Sequence, residues 1–123
     1  MLLNTNTTSD TLERWSKRIR VDIFKMKLLF FPFHRNHHWS LMVVVNPGSI
    51  RECTRPSYKG SKTCILFFDS LGSNTSHDKK MFGTKILGWL NSQWKVRPGR
   101  RTDDTVVPFH ARLVKTYTPS GKT

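Results

Sequence analysis

The apolar positions of this chain are grouped, and the spacing inside each group predicts an element. Leu28-Leu29-Phe30-Phe31 is an unbroken apolar run that reads as a buried strand, with Pro32 marking an edge position or a strand end. His34-Arg35-Asn36-His37 is a polar turn. Residues 38–46 then form a second strand, which Asn46-Pro47-Gly48 terminates. A turn this short between two apolar runs predicts a β-hairpin. A third strand is expected from Cys64 to Phe68. It lies beyond a loop from Ser49 to Thr63 that is rich in Arg, Lys, Ser, Pro and Gly and longer than a tight hairpin needs.

Two stretches follow the helical period instead. Asp10 and Glu13 stand at capping-box spacing, and Leu12, Trp15 and Ile19 share one face of a short helix expected to end near Arg20. The stronger signal lies between a second capping pair, Thr75 and Asp78, and a stop at Pro98-Gly99. Phe82, Ile86, Trp89, Leu90 and Trp94 recur there every three or four residues and make one apolar face. Residues 1–8 read as a mobile polar lead-in, residues 9–108 as the folded unit, and residues 109–123 as an irregular tail. No internal repeat or low-complexity run is present. These elements predict an α+β fold, a small mixed or antiparallel sheet flanked by helices.

Composition narrows the picture. A chain of 123 residues has room for one core, and 37% hydrophobic with 11% aromatic residues is enough to pack it. No apolar segment approaches membrane-span length, and Met1-Leu2-Leu3 leads straight into polar residues, so neither a membrane anchor nor a secretory signal is expected. The expected location is therefore intracellular, nuclear or cytoplasmic, with Cys53 and Cys64 as free thiols. A net charge of +13 favours polyanionic partners, nucleic acid or an acidic protein face, through non-specific attraction.

The candidate chemistry sits at strand ends. His38 opens the second strand and Asp69 closes the third, so pairing those strands side by side would bring an imidazole and a carboxylate to one sheet edge. A carboxylate there fixes the tautomer of a catalytic imidazole and stabilises its protonated form. Spacing alone leaves open the plainer alternative of a surface His beside a turn and an Asp capping a loop. His34, His37, His38, Cys53 and Cys64 have residue types that suit zinc but lack a Cys-x-x-Cys pair, and Cys64 falls where a strand residue belongs. No metal or other cofactor is expected. Lys95, Arg97, Arg100 and Arg101 near Trp89 and Trp94 could hold nucleic acid by phosphate pairing and stacking. Those tryptophans fall on the apolar helix face, which favours a core role.

In order along the chain, Arg14-Trp15-Ser16-Lys17, Val21-Asp22-Ile23-Phe24, Leu28-Leu29-Phe30-Phe31-Pro32, His38-Trp39-Ser40-Leu41 and Phe68-Asp69-Ser70-Leu71 resemble the ubiquitin-like-protein-specific (SUMO or sentrin-specific) cysteine proteases. The resemblance implies a papain-like or adenain-like thiol protease core. It also implies desumoylation or maturation chemistry, in which a bond after a modifier's C-terminal Gly-Gly is hydrolysed through a thioester. On that resemblance His38 is the general base, Asp69 the carboxylate that orients it, and Trp39 the substrate-binding aromatic over the Gly-Gly tail. The partner is SUMO or another ubiquitin-like modifier and its conjugates.

The chain departs from the family pattern in ways that bear on activity. A Gln, an Asn and an Asp-Cys-Gly run are expected after Val106-Val107-Pro108, yet the sequence reads Phe109-His110-Ala111-Arg112-Leu113-Val114 and on to Thr123. Cys53 lies in the insertion loop and Cys64 on a strand ahead of the Asp, so neither stands in for the nucleophile. The family's upstream Trp-Leu-Asn-Asp segment, which forms the other tunnel wall, and its C-terminal helices are not found either. The expectation is an incomplete core, the middle of such a domain in fragment form, inactive by itself. A modifier-binding module without catalysis and a basic nucleic-acid binder are the alternatives.

Overall fold

The computed structural model describes residues 9–35, 37–60, 62–69, 76–97 and 107–116. The lead-in, the cap at Thr75, the stop at Pro98-Gly99 and residues 117–123 lie outside these.

Period-two alternation builds the sheet. Strand β1 (Leu28–Arg35) pairs antiparallel with β2 (His38–Val45), and β2 with β3 (Cys64–Asp69). A short β4 (Val114–Thr116) lies parallel to β3, giving the order β1-β2-β3-β4 and a mixed sheet. The expected hairpin is present, but His34 and Arg35, expected in the turn, extend β1 and pair with Trp39 and His38; His37 lies in the left-handed region at φ 60°, where His is among the more tolerant side chains.

One sheet face carries the core. Leu29, Phe31 and Phe33 of β1, Met42 and Val44 of β2, and Ile65 and Phe67 of β3 are all buried. Across them lies helix α2 (Ser76–Val96), with Phe82, Ile86, Trp89, Leu90 and Trp94 inward as the spacing predicts. Helix α1 (Ser9–Ile19) buries Leu12 and sets Trp15 edge-on against Phe31, and Arg20 at φ 49° ends it in a left-handed turn. The helix already runs through Asp10, and Glu13 accepts a 2.5 Å hydrogen bond from Ser92 Oγ, tying α1 to α2. The side chains of Asp10 and Ile19 lie outside the described residues.

Two other sequence expectations change. Leu28 to Phe31 is only half buried, since Leu28 and Phe30 point to the opposite sheet face and are exposed. An unbroken apolar run suggests burial on both faces, but among the described residues only one face has a helical layer. β1 also continues through Pro32, which it can do as an edge strand needing ladder donors on one side only.

The second change concerns residues 109–116, expected to be irregular. Asn91 on α2 grips the backbone of Phe109 from both sides: Nδ2 donates to its carbonyl and Oδ1 accepts from its N–H, each at 3.0 Å. Phe109 is then buried against Phe24 and Trp94, a 3-10 turn follows at Ala111–Leu113, and β4 joins the sheet. Asn91→Ala removes two neutral hydrogen bonds and strands a buried N–H, an expected loss of about 1–3 kcal/mol in urea unfolding. Asn91→Asp keeps the acceptor but turns a carboxylate oxygen toward the Phe109 carbonyl, and is expected to cost at least as much.

At the end of the sheet away from His38, a 3-10 turn at Ile23–Lys25, capped by Asp22, abuts another at Pro47–Ser49. A Cβ at Gly48 would sit 2.0 Å from the Phe24 carbonyl oxygen, so this backbone approach requires glycine.

Candidate active site

Strand register brings the two candidate residues together. Asp69 lies directly opposite Ser40, and His38 is two residues before Ser40, so His38 and Asp69 are diagonal neighbours on one face. A slip of one residue would send them to opposite faces. Their side chains meet at 2.6 Å, His38 Nε2 to Asp69 Oδ1, with 16% and 4% of the side-chain surface exposed. With Nε2 turned to the carboxylate, the proton belongs on Nε2, and Nδ1 is the nitrogen left with a lone pair.

The surroundings keep the pair in place. Buried Ser40 lies between the two positions, and Phe33, opposite Ser40, stacks on Phe82 of α2 at 3.9 Å between ring centroids. A cleft of about 440 Å³ opens between the first half of α2 and β4. Gly83, Leu87 and Val114 line it, with Lys79 and Lys80.

Trp39 occupies the other face. It is 52% exposed and lies directly across from His34, the two rings 4.7 Å apart at their centroids. His34 therefore braces the exposed indole, a contact the sequence reading missed. Reading His34 as part of the turn hid it, since His34 belongs to β1 and pairs with Trp39.

Neither thiol reaches His38. Cys64 lies at the other end of β3, five residues from Asp69, which is about 17 Å along a strand. It also points to the opposite face, with Leu66 and Phe68. Burial raises the Cys64 thiol pKa, and Lys115 offsets this only in part, so the sulfur is a protonated thiol at neutral pH. Alkylation of Cys64 by iodoacetamide, followed in a Cys53→Ala background, is expected to need higher pH than a free cysteine. Lys115→Ala should slow it further. Cys53 sits in a 3-10 turn beyond the far end of β2, its Sγ against the Ile50 carbonyl.

Among the described residues no three His, Cys, Asp or Glu side chains gather closely enough to hold a metal ion, and no helix is long and apolar enough to cross a membrane. His34 and His37 approach within 6.4 Å without a third ligand. Trp89 and Trp94 are buried and offer no face to a nucleic-acid base. Arg100 and Arg101 lie outside the described residues.

A His–Asp pair across the ends of two adjacent strands can supply an imidazole base and the carboxylate that orients it. The fold matches a crystal structure of a de-sumoylating protease with a TM-score of 0.56 at 18% identity, over 88% of this chain and 34% of that one. Residues 5–117 match the Ulp1 protease family, C-terminal catalytic domain, and the chain belongs to that family. It is 32% identical over 95 residues to a protein of Arabidopsis thaliana named "Probable ubiquitin-like-specific protease 2B" and 33% identical over 81 residues to ubiquitin-like-specific protease 1D of the same plant. It is 26% identical over 85 residues to human sentrin-specific protease 2. These alignments take in 76%, 66% and 68% of this chain but only 10%, 12% and 14% of the respective relatives.

Proposed function

We propose that this chain carries the His–Asp half of a SUMO or ubiquitin-like-modifier protease site and an aromatic wall for the modifier's Gly-Gly tail. The 2.6 Å contact between His38 and Asp69, on strands of this family's fold, carries the reading. Asp69 holds the imidazole with Nδ1 as the base. His38 would take a thiol proton in the attack on the scissile carbonyl and return it to the leaving amine. Trp39 presents a broad apolar face at the same end of the sheet, suited to pack on an extended glycine tail that offers no side chains of its own. The reducing compartment this chemistry needs is nuclear or cytoplasmic, in keeping with two free cysteines.

The thiol itself has to come from outside these 123 residues, because Cys53 and Cys64 are too far away and Cys64 faces the other side of the sheet. By itself the chain is therefore expected to bind but not to cut. With a SUMO precursor bearing a C-terminal extension, the expected result is no product on overnight incubation. Binding should be measurable by calorimetry and weaken on the order of tenfold or more in Trp39→Ala. Cleavage that persists in Cys53→Ala/Cys64→Ala and in His38→Ala would overturn the site assignment. Equal affinity of the parent and Trp39→Ala would remove Trp39 from the binding site.

A further inference from the structure

At the pole opposite His38 and Asp69, the ends of α1 and α2 converge on the 3-10 turn at Ile23–Lys25 and leave a cleft of about 270 Å³. Arg20, Val21, Asp22, Phe24, Val96 and Arg97 line it. Val96 is 74% exposed and Val21 47%, so two aliphatic side chains stand open to water at its mouth. Scattered surface valines need no explanation, but a pair flanking a concave site and ringed by charge is the pattern of an interaction site.

The charge around the cleft is mostly positive. Arg20 and Arg97 line it, and Lys17, Arg18, Lys25 and Lys95 flank it in the adjoining turns. Among the described residues the one carboxylate lining it is Asp22, whose Oδ1 accepts the Phe24 N–H in capping the 3-10 turn. Two helix C-termini point here and add about half a negative charge each. Together with Asp22 that makes about two negative charges against six positive ones, so the local potential is firmly positive. Arg97 also lies over the Trp94 ring at 3.3 Å and donates to the Trp94 carbonyl, which anchors its guanidinium at the rim.

We propose that this cleft docks an acidic linear peptide with a central apolar anchor, the anchor entering between Val21 and Val96 and the acidic flanks pairing with Arg20, Arg97 and the neighbouring lysines. The exposed aliphatic centre favours a peptide over nucleic acid. The aromatic side chains that could stack on a base, Phe24 and Trp94, are instead packed against one another and against Phe109. The site is separate from the dyad: Phe82, which stacks on Phe33 opposite Ser40, is about 20 Å from Val96 along α2.

The test uses the whole chain and a fluorescein-labelled hexapeptide with Leu-Phe at its centre and two acidic residues on either side. A second peptide replaces Leu-Phe by Ser-Ser. Anisotropy titration should give saturable binding of the first and at least about tenfold weaker binding of the second. Val96→Glu, at the exposed end of α2, should weaken the Leu-Phe peptide by a similar factor with an unchanged circular dichroism spectrum. Arg20→Glu should weaken both peptides. Equal affinity for the two peptides, or indifference to Val96→Glu, would reduce the site to non-specific charge and overturn the proposal. Duplex DNA or anionic vesicles bound more tightly than the peptide, with the same sensitivity to Val96→Glu, would overturn it in favour of that partner.

Discussion

Asp69→Asn is expected to turn the His38 imidazole to the wrong tautomer. In the parent chain Nε2 points at a carboxylate oxygen 2.6 Å away, so the proton sits on Nε2 and Nδ1 keeps its lone pair. An amide at position 69 can present N–H instead, and Nε2 then becomes the acceptor while the proton moves to Nδ1. The Asn side chain is nearly isosteric, so the strands and the buried face need not move. In a complete serine-protease triad the equivalent change leaves the geometry intact and lowers kcat on the order of 10⁴-fold, because the base nitrogen is already protonated. In this chain the change can be read without turnover, from the ¹⁵N shifts of a histidine-labelled sample. The parent should show His38 with Nδ1 unprotonated, and Asp69→Asn should reverse the assignment. Identical spectra would mean that the carboxylate does not orient the ring.

The largest effect on stability is expected from Trp89→Ala. Trp89 is fully buried at the middle of α2, its ring 5.5 Å from Phe31 on the sheet and 5.8 Å from Trp15 on α1. It is therefore the point where both helices and the sheet meet. Truncation should cost about 3–5 kcal/mol from lost transfer energy and the cavity left behind. A domain of this size has only about 5–15 kcal/mol of stability, so the melting temperature should fall by more than about 10 °C. Trp89→Phe should be far milder. The indole N–H is buried without a hydrogen-bond partner among the described residues, so Phe loses volume but no polar contact. If the Phe variant is as damaging as the Ala variant, an interaction of the indole nitrogen rather than its bulk holds this junction.

The site and the core differ in how much of them the sequence shows. The apolar face of α2 was legible because a helix repeats every 3.6 residues, and Phe82, Ile86, Trp89, Leu90 and Trp94 obey that period without interruption. The β1–β2 hairpin was legible as two apolar runs joined by a short polar stretch, but its register was not, because His34 and Arg35, read as turn, belong to β1 and pair with Trp39 and His38. Leu28 and Phe30 were misread as buried, since local composition cannot say whether a sheet has a second covering layer. The segment from Phe109 to Thr116 was misread for a related reason. Its order depends on Asn91, eighteen residues before Phe109, and on an empty place beside β3, neither of which is a property of the segment itself.

The same division applies to His38 and Asp69. By itself the sequence determined that an imidazole and a carboxylate stand at the ends of two apolar strands, and its ordered motifs placed them in one protease family. Only the tertiary structure decided that they touch. Contact requires β2 and β3 to pair with Ser40 opposite Asp69, a register set by Met42, Val44, Ile65 and Phe67 all seeking the face that α2 covers. The sequence motifs already set both cysteines apart from the pair, and the structure adds where they lie: Cys64 at the far end of β3 on the opposite face, Cys53 in a 3-10 turn beyond β2. Helical periodicity is local and can be read from the chain, whereas strand ends, register and covering layers are settled by burial between segments far apart in sequence.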